Sequence, residues 1–264
     1  MGPLPWAAVG SGAPIVVLAG ASPGTGVASG TLVNAALSPV RQLSASRRVY
    51  VLNRRAAMPT EMTMAEMAAE HASAFREFFD EPIDLVGIST GGSIAQQIAA
   101  DHPDVVRRLV LISTGCRLGT QARQEQADAA VLLRDNRVRQ AGALLAMDVL
   151  FWAGPAGRAV GWLVAPQVLG GRRARADLAT TLEAEDLFDL ASCASPIQAP
   201  TLILGGARDR FYDRELFDQT ADLIPAAELV IIPRRGHVTV TSDRVARSHV
   251  ARFLTWPWLE ASPG

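Results

Sequence analysis

The chain contains no lysine; all 25 basic side chains among its 264 residues are arginine. That absence excludes chemistry needing a primary amine: a Schiff-base nucleophile, a pyridoxal-phosphate anchor or a Walker-A lysine. The glycine-rich stretch Gly20-Ala21-Ser22-Pro23-Gly24-Thr25-Gly26 is therefore no P-loop, and it lacks the Gly-x-Gly-x-x-Gly spacing of a dinucleotide site. An all-arginine complement accords with a GC-rich, bacterial coding sequence. Cysteine is scarce as well, with only Cys116 and Cys193. With no secretory leader, two reduced thiols are expected, although a pairing between them stays open.

Charge of one sign is also missing. The net charge is −1, and the arginine pairs Arg47-Arg48, Arg54-Arg55, Arg107-Arg108, Arg172-Arg173 and Arg234-Arg235 are scattered. They read as a solvated surface, with no electrostatic footprint for nucleic acid or an anionic membrane. No apolar run reaches the roughly 18 residues needed to span a bilayer. The opening Met1-Gly2-Pro3-Leu4-Pro5-Trp6 has neither a basic nor an apolar leader region. These absences point to a cytoplasmic protein with a small-molecule partner, no cofactor and no metal. A homodimer is compatible with them.

What is present is a regular alternation. Pro14–Ala19, Val49–Leu52, Ile83–Ile88, Leu109–Ile112, Thr201–Gly205 and Glu228–Ile232 are short, continuously apolar runs rich in β-branched residues. Unbroken apolarity predicts strands covered on both faces, hence a parallel sheet. Helical patterns separate them at Met62–Phe79, Ser93–Asp101, Asp213–Leu223 and Ser242–Leu254. Trp6–Gly12 has room for one short extra strand and a turn. Strand-helix alternation predicts a doubly wound α/β fold with a mostly parallel sheet of about seven or eight strands.

One block breaks the rhythm. Between Thr114 and Pro196 no strand pattern occurs, and helices are expected near Gln121–Arg134, Val138–Phe151, Gly157–Val164 and Ala174–Leu187. This predicts a helical cap over residues 115–195, inserted into a core made of residues 1–114 and 196–264. The break Ala153-Gly154-Pro155-Ala156-Gly157 reads as a turn between helices.

The chemistry concentrates in three places. Asp84-Leu85-Val86-Gly87-Ile88-Ser89-Thr90-Gly91-Gly92 puts Gly-x-Ser-x-Gly between a strand and a helix. A serine there sits on a sharp turn, and the glycines are needed because side chains would strike the adjoining strand and helix. The turn pushes the hydroxyl out of the sheet and leaves the Thr90 N–H at a helix N-terminus. Next, Leu204-Gly205-Gly206-Ala207-Arg208-Asp209 places a carboxylate just beyond a buried strand, while Asp213 suits a helix cap. Last, Ile231-Ile232-Pro233-Arg234-Arg235-Gly236-His237 places an imidazole after the final strand. His71, His102 and His249 fall within or at the ends of helices and read as structural. Ser89 as nucleophile, His237 as base and acid, and Asp209 as its orienting carboxylate divide the labour of acyl transfer.

With the order Ser89, Asp209, His237 and the Gly-x-Ser-x-Gly turn, the chain resembles the α/β-hydrolase family over nearly its whole length except the insertion. The resemblance makes Pro14–Leu18 the family's third strand, Leu109–Ile112 its sixth, and the insertion its helical cap following that sixth strand. It implies an oxyanion hole from the Thr90 N–H and a second donor behind Ala19-Gly20, with Ala21 first and Ser22 second. The family's His-Gly pair is absent at that point. The apolar cap residues Met147, Phe151, Trp152 and Trp162 are expected to roof the substrate pocket. A serine nucleophile argues against the dehalogenase and epoxide-hydrolase branches, and the missing lysine against the cyanohydrin-cleaving one. The implied activity is a carboxylesterase-like serine hydrolase acting on a small to medium apolar ester or lactone. Its alternatives are a non-hydrolytic or C–C-bond-cleaving tailoring enzyme of secondary metabolism and a catalytically silent receptor on the same fold.

Overall fold

The computed structural model describes residues 1–27, 30–149, 154–193 and 195–255. The apolar runs form seven strands: β1 (Trp6–Val9), β2 (Pro14–Leu18), β3 (Arg48–Leu52), β4 (Ile83–Ile88), β5 (Val106–Ile112), β6 (Thr201–Gly206) and β7 (Ala227–Ile232). They make one sheet in the order β1-β3-β2-β4-β5-β6-β7. All neighbours are parallel except β1, which pairs antiparallel with β3. The opening segment contributes one strand, so the helical insertion follows the fifth strand of this chain and the sixth of the family pattern.

Alternation along each strand builds two cores, because successive side chains point to opposite faces. Val16, Leu18, Leu85, Leu109, Leu111 and Ile203 pack under α2 (Met64–Phe78), α3 (Thr90–Asp101) and α8 (Arg214–Leu223). Ile15, Val17, Val86, Val110, Leu202 and Leu204 pack under α1 (Gly30–Leu37) and α9 (Arg244–Thr255). Both faces of the central strands are dry, as continuous apolarity requires.

Strand order also locates the site. From β2 the chain passes to β3 on one side, then returns to β4 on the other, so β2 and β4 are sheet neighbours whose following loops diverge. Ligand crevices in open α/β sheets form at such reversals, beyond the carboxyl ends of the strands.

Helix boundaries show what the pattern missed. α2 starts at Met64 because Thr63 and Glu66 form a capping box. Asp213 caps α8 by accepting from the Leu216 N–H at 2.9 Å. α3 begins at Thr90, three residues before the expected start, since Ser89 itself ends the turn. The short α1 was not among the predicted helices. Between β5 and β6 lie α4 (Thr120–Arg134), α5 (Val138–Val149), α6 (Gly154–Val168) and α7 (Arg172–Asp186). The expected stop of α6 at Val164 is not kept: the helix continues through Pro166. A proline there frees the carbonyl of Trp162, and Arg139 Nη1 donates to that carbonyl at 3.3 Å.

Not all the arginine pairs form a solvated surface. Arg54 is buried. Arg47 Nη2 donates to Asp84 at 2.5 Å, and Arg107 donates to it through Nε at 2.9 Å and Nη2 at 2.8 Å. Arg108 Nη1 donates to the Leu254 carbonyl at 2.7 Å, tying β5 to α9. Asp84, fully buried in β4, thus neutralises the amino end of the sheet. Cys116 and Cys193 are both free thiols. Among the described residues no helix is long and apolar enough to cross a membrane.

Two outcomes follow for stability. Asp84→Ala leaves the largely buried Arg47 without its carboxylate, while the exposed Arg107 can turn to water, and should lower unfolding stability by about 2 kcal/mol in urea titration; a loss below about 0.5 kcal/mol would show that the cluster is dispensable. His71, in α2, is buried with Nδ1 2.7 Å from the Met67 carbonyl, and burial pushes its imidazole down to about 4. Its folded value lies below the unfolded one, so the unfolded chain binds the extra proton and stability falls as pH drops from about 6.5 to about 4. His71→Gln should flatten that part of the stability-pH curve, measured by urea midpoint; an unchanged slope would assign the acid sensitivity elsewhere.

Candidate active site

Ser89 occupies the turn between β4 and α3 with φ 52° and ψ −127°. This left-handed conformation is strained for a residue with a side chain. It is held because the Ser89 N–H donates to the Ile112 carbonyl at 2.9 Å while the Ser89 carbonyl accepts from the Gly92 N–H at 2.6 Å. Space is the other constraint. A Cβ on Gly91 would lie 2.3 Å from the Leu18 carbonyl oxygen, and one on Gly87 would lie 2.5 Å from the Gly92 Cα. The first would push α3 off β2, and the second would push β4 off α3.

Asp209 and His237 arrive from the loops after β6 and β7. His237 Nε2 lies 2.9 Å from Ser89 Oγ, and Nδ1 lies 3.1 and 3.0 Å from the two oxygens of Asp209. Asp209 Oδ1 also accepts from the N–H groups of Phe211 and Tyr212 at 3.0 and 3.3 Å, which orients the carboxylate. The His237 carbonyl accepts from Ser113 Oγ at 2.7 Å. Phe211 packs on the imidazole with ring centroids 4.3 Å apart. The three side chains that sequence order singled out therefore meet in one hydrogen-bonded row, with Asp209 at the inner end and Ser89 facing a cavity.

The loop after β2 runs directly against Ser89, since a Cβ on Gly20 would stand 3.2 Å from Ser89 Cβ. Neither the Ala21 nor the Thr90 N–H donates to an acceptor among the described residues. Both residues line the cavity. Ser22 lines it too, but its hydroxyl is engaged in the loop, donating to the Gly24 carbonyl at 2.5 Å and accepting from Asn53 Nδ2 at 3.2 Å. Asn53 Nδ2 also reaches the Gly24 carbonyl at 2.8 Å, and Arg54 Nη2 donates to the Ser22 carbonyl at 2.8 Å. Burial pushes the Arg54 guanidinium down to about 10, opposed by the charges of Glu185 and Asp177. The end of β3 thus fixes the loop that carries Ala21.

The cavity measures about 510 Å³ and lies between the sheet and the helical insertion. Leu145 and Ala146 of α5, Val160, Val164 and Val168 of α6, and Leu178 and Leu182 of α7 form apolar walls. Of the expected roof residues, Trp162 is not among them. It is exposed on the far side of α6, under the Arg139 guanidinium at 4.3 Å. Residues at i, i+4 and i+8 share a helix face, so Val160, Val164 and Val168 face the cavity, although each stays solvent-exposed, and Trp162 turns away from it. Phe151, Trp152 and the Met147 side chain lie outside the described residues.

Two polar side chains interrupt those walls, and sequence reading missed both. Glu185 of α7 is buried; it accepts from Thr90 Oγ1 at 2.7 Å and Ser93 Oγ at 3.0 Å. Burial pushes its carboxyl up, while those two hydroxyls, the His237 charge and the Gln126 amide pull it back. Gln126 of α4 is buried beside it. A signal existed. Leu178, Leu182 and Glu185 fall on one helical stripe, as do Ala122, Gln126, Ala130 and Leu133, so each polar residue breaks an otherwise apolar face. Among the described residues no three His, Cys, Asp or Glu side chains converge to hold a metal ion.

This geometry agrees with comparisons with known proteins. Residues 10–248 match the model of the Alpha/beta hydrolase family. RutD of Klebsiella pneumoniae (strain 342), which carries the provisional name carbamate hydrolase, is 27% identical over 253 residues, covering 91% of this chain and 89% of RutD. The enol-lactonase from Burkholderia xenovorans LB400 superposes with a TM-score of 0.76 at 21% identity, covering 96% of both chains. A thermophilic esterase from Thermogutta terrifontis gives a TM-score of 0.69 at 22% identity, with 95% of this chain and 92% of that one covered. With the family pattern matched from before β2 into α9, this chain belongs to the alpha/beta hydrolase family.

Proposed function

We propose that the chain is a serine hydrolase that cleaves a small to medium, mostly apolar carboxylic ester or lactone through an acyl-enzyme. The observation that carries this reading is His237 standing within hydrogen-bond reach of both Ser89 Oγ and Asp209 at the floor of an apolar cavity. Ser89 Oγ attacks the carbonyl carbon as His237 Nε2 takes its proton. Asp209 keeps the proton on Nδ1 and stabilises the imidazolium. The N–H groups of Thr90 and Ala21 receive the developing oxyanion. His237 then protonates the leaving oxygen, and water, activated by the same imidazole, releases the acid and restores Ser89. Residues 115–195 act as the cap and residues 1–114 and 196–264 as the catalytic core. The likeness to RutD adds carbamates to the substrates worth testing, because a carbamate carbonyl passes through the same tetrahedral geometry.

Labelling by a fluorophosphonate and turnover of p-nitrophenyl butyrate test the assignment together. Ser89→Ala should abolish labelling and lower kcat on the order of 10⁶-fold while the circular dichroism spectrum stays unchanged. Asp209→Asn, which presents a proton to the wrong side of the imidazole, should cost on the order of 10⁴-fold in kcat. Wild-type turnover in the Ser89→Ala protein would overturn the nucleophile. Wild-type protein that neither labels nor hydrolyses esters, lactones or carbamates would overturn the hydrolase reading.

A further inference from the structure

The end of β5 touches all three chain segments that build the catalytic row. The Ile112 carbonyl accepts from the Ser89 N–H at 2.9 Å. The next residue, Ser113, donates its own N–H to the Leu204 carbonyl at 2.8 Å, in β6, the strand that leads to Asp209. Its hydroxyl donates to the His237 carbonyl at 2.7 Å. Consecutive residues thus hold the backbone of the nucleophile, the strand of the acid and the backbone of the base. Among the described residues no other group donates to the His237 carbonyl. The loop after β7 has further ties, from the Arg208 N–H to the Arg235 carbonyl at 2.8 Å and from the Gly236 N–H to Thr239 Oγ1 at 2.9 Å. Neither of these comes from β5, the strand that fixes Ser89.

Ser113 is buried, and its backbone is left-handed with φ 52°. Glycine adopts that conformation without steric cost, whereas a residue with a Cβ is strained in it. What serine adds at this point is its hydroxyl. A strained residue persists beside reacting groups only because its neighbours hold it. We propose that Ser113 is a positioning residue for the reaction, its hydroxyl fixing the His237 main chain so that Nε2 stands 2.9 Å from Ser89 Oγ. The inference rests on the serine-hydrolase reading of that row. Ser113 is not among the residues that line the cavity, so it acts through His237 and not on the substrate. A base that drifts lengthens the contact through which the proton moves in both attack and release. Binding in the apolar cavity is untouched, so the loss falls on kcat and not on KM.

The test separates the hydroxyl from the backbone strain. Ser113→Ala removes the hydroxyl and keeps the strain, while Ser113→Gly removes both. With p-nitrophenyl butyrate both variants should lose on the order of tenfold in kcat at unchanged KM, and both should label with a fluorophosphonate more slowly by a similar factor. Their urea midpoints should diverge: the alanine variant falls below wild type and the glycine variant stays near it. A merely structural serine would make activity follow stability, with the glycine variant as active as wild type. That result, or wild-type kcat in both variants, would overturn the positioning role while leaving the hydrolase assignment standing. If Ser113→Ala does not fold, Ser113→Gly decides alone. If the wild-type protein neither labels nor turns over esters, the hydrolase reading fails separately, and crystal structures of the wild type and of Ser113→Gly decide the geometry. An Nε2–Oγ separation that lengthens beyond about 3.5 Å in the variant supports the tie, and an unchanged separation ends it.

Discussion

Everything in this molecule is arranged around the close approach of β2 to the turn that carries Ser89. The backbone of α3 lies so near the end of β2 that a single methyl group on Gly91 would overlap the Leu18 carbonyl. That approach lets a left-handed serine persist, because strand, helix and the Ile112 carbonyl all constrain it at once. The same approach brings Thr90 and the loop after β2, with Ala21, to the wall of one cavity. It occurs where it does because the sheet order reverses between β2 and β4, which opens a crevice at their carboxyl ends.

The four-helix insertion is fastened to this floor by directional contacts as well as by packing. Asp177 of α7 accepts from the N–H groups of Ala57 and Met58, both at 3.0 Å, just beyond β3. About two turns later, Glu185 on the same helix grips Thr90 and Ser93. α7 is therefore tied to the core at both the β3 and the β4 ends of the crevice, and Arg54 lies buried in the field of both carboxylates. Within the insertion, Ala129, Ala141, Ala165 and Leu182 share a small-residue core, and Gly142 and Gly161 let α5 and α6 approach closely. α5 and α6 pack closely on each other, and α7 carries the directional ties that hold the insertion to the core.

Much of this was legible in the chain as written. Continuous apolarity in Ile83–Ile88 and Thr201–Gly205 marked central strands, since only strands wetted on neither face can dispense with alternation. Gly87 and Gly91 marked a turn with no room for side chains. The order Ser89, Asp209, His237 at successive strand ends marked groups that an α/β sheet delivers to one edge. Other features were not legible, for physical reasons. The run of α6 through Pro166 depends on Arg139, 27 residues earlier in the chain, arriving to satisfy the carbonyl that proline frees. Arg54 reads as one more surface arginine until Ser22, Glu185 and Asp177 close around it. Trp162 has the bulk expected of a pocket residue, yet the helical phase of Val160, Val164 and Val168 turns it outward.

By itself, the amino-acid sequence determined the elements, their alternation, the parallel sheet and the three side chains at its carboxyl edge. Each of these follows from local periodicity, steric room at glycine or position relative to a strand end, which are properties of short segments. Only the tertiary structure decided which polar groups are buried together. The company of Glu185 with Thr90, Ser93 and Gln126, and of Asp84 with Arg47 and Arg107, joins positions far apart in the chain. Burial and pairing are set by what packs against a side chain, and no single segment carries that information.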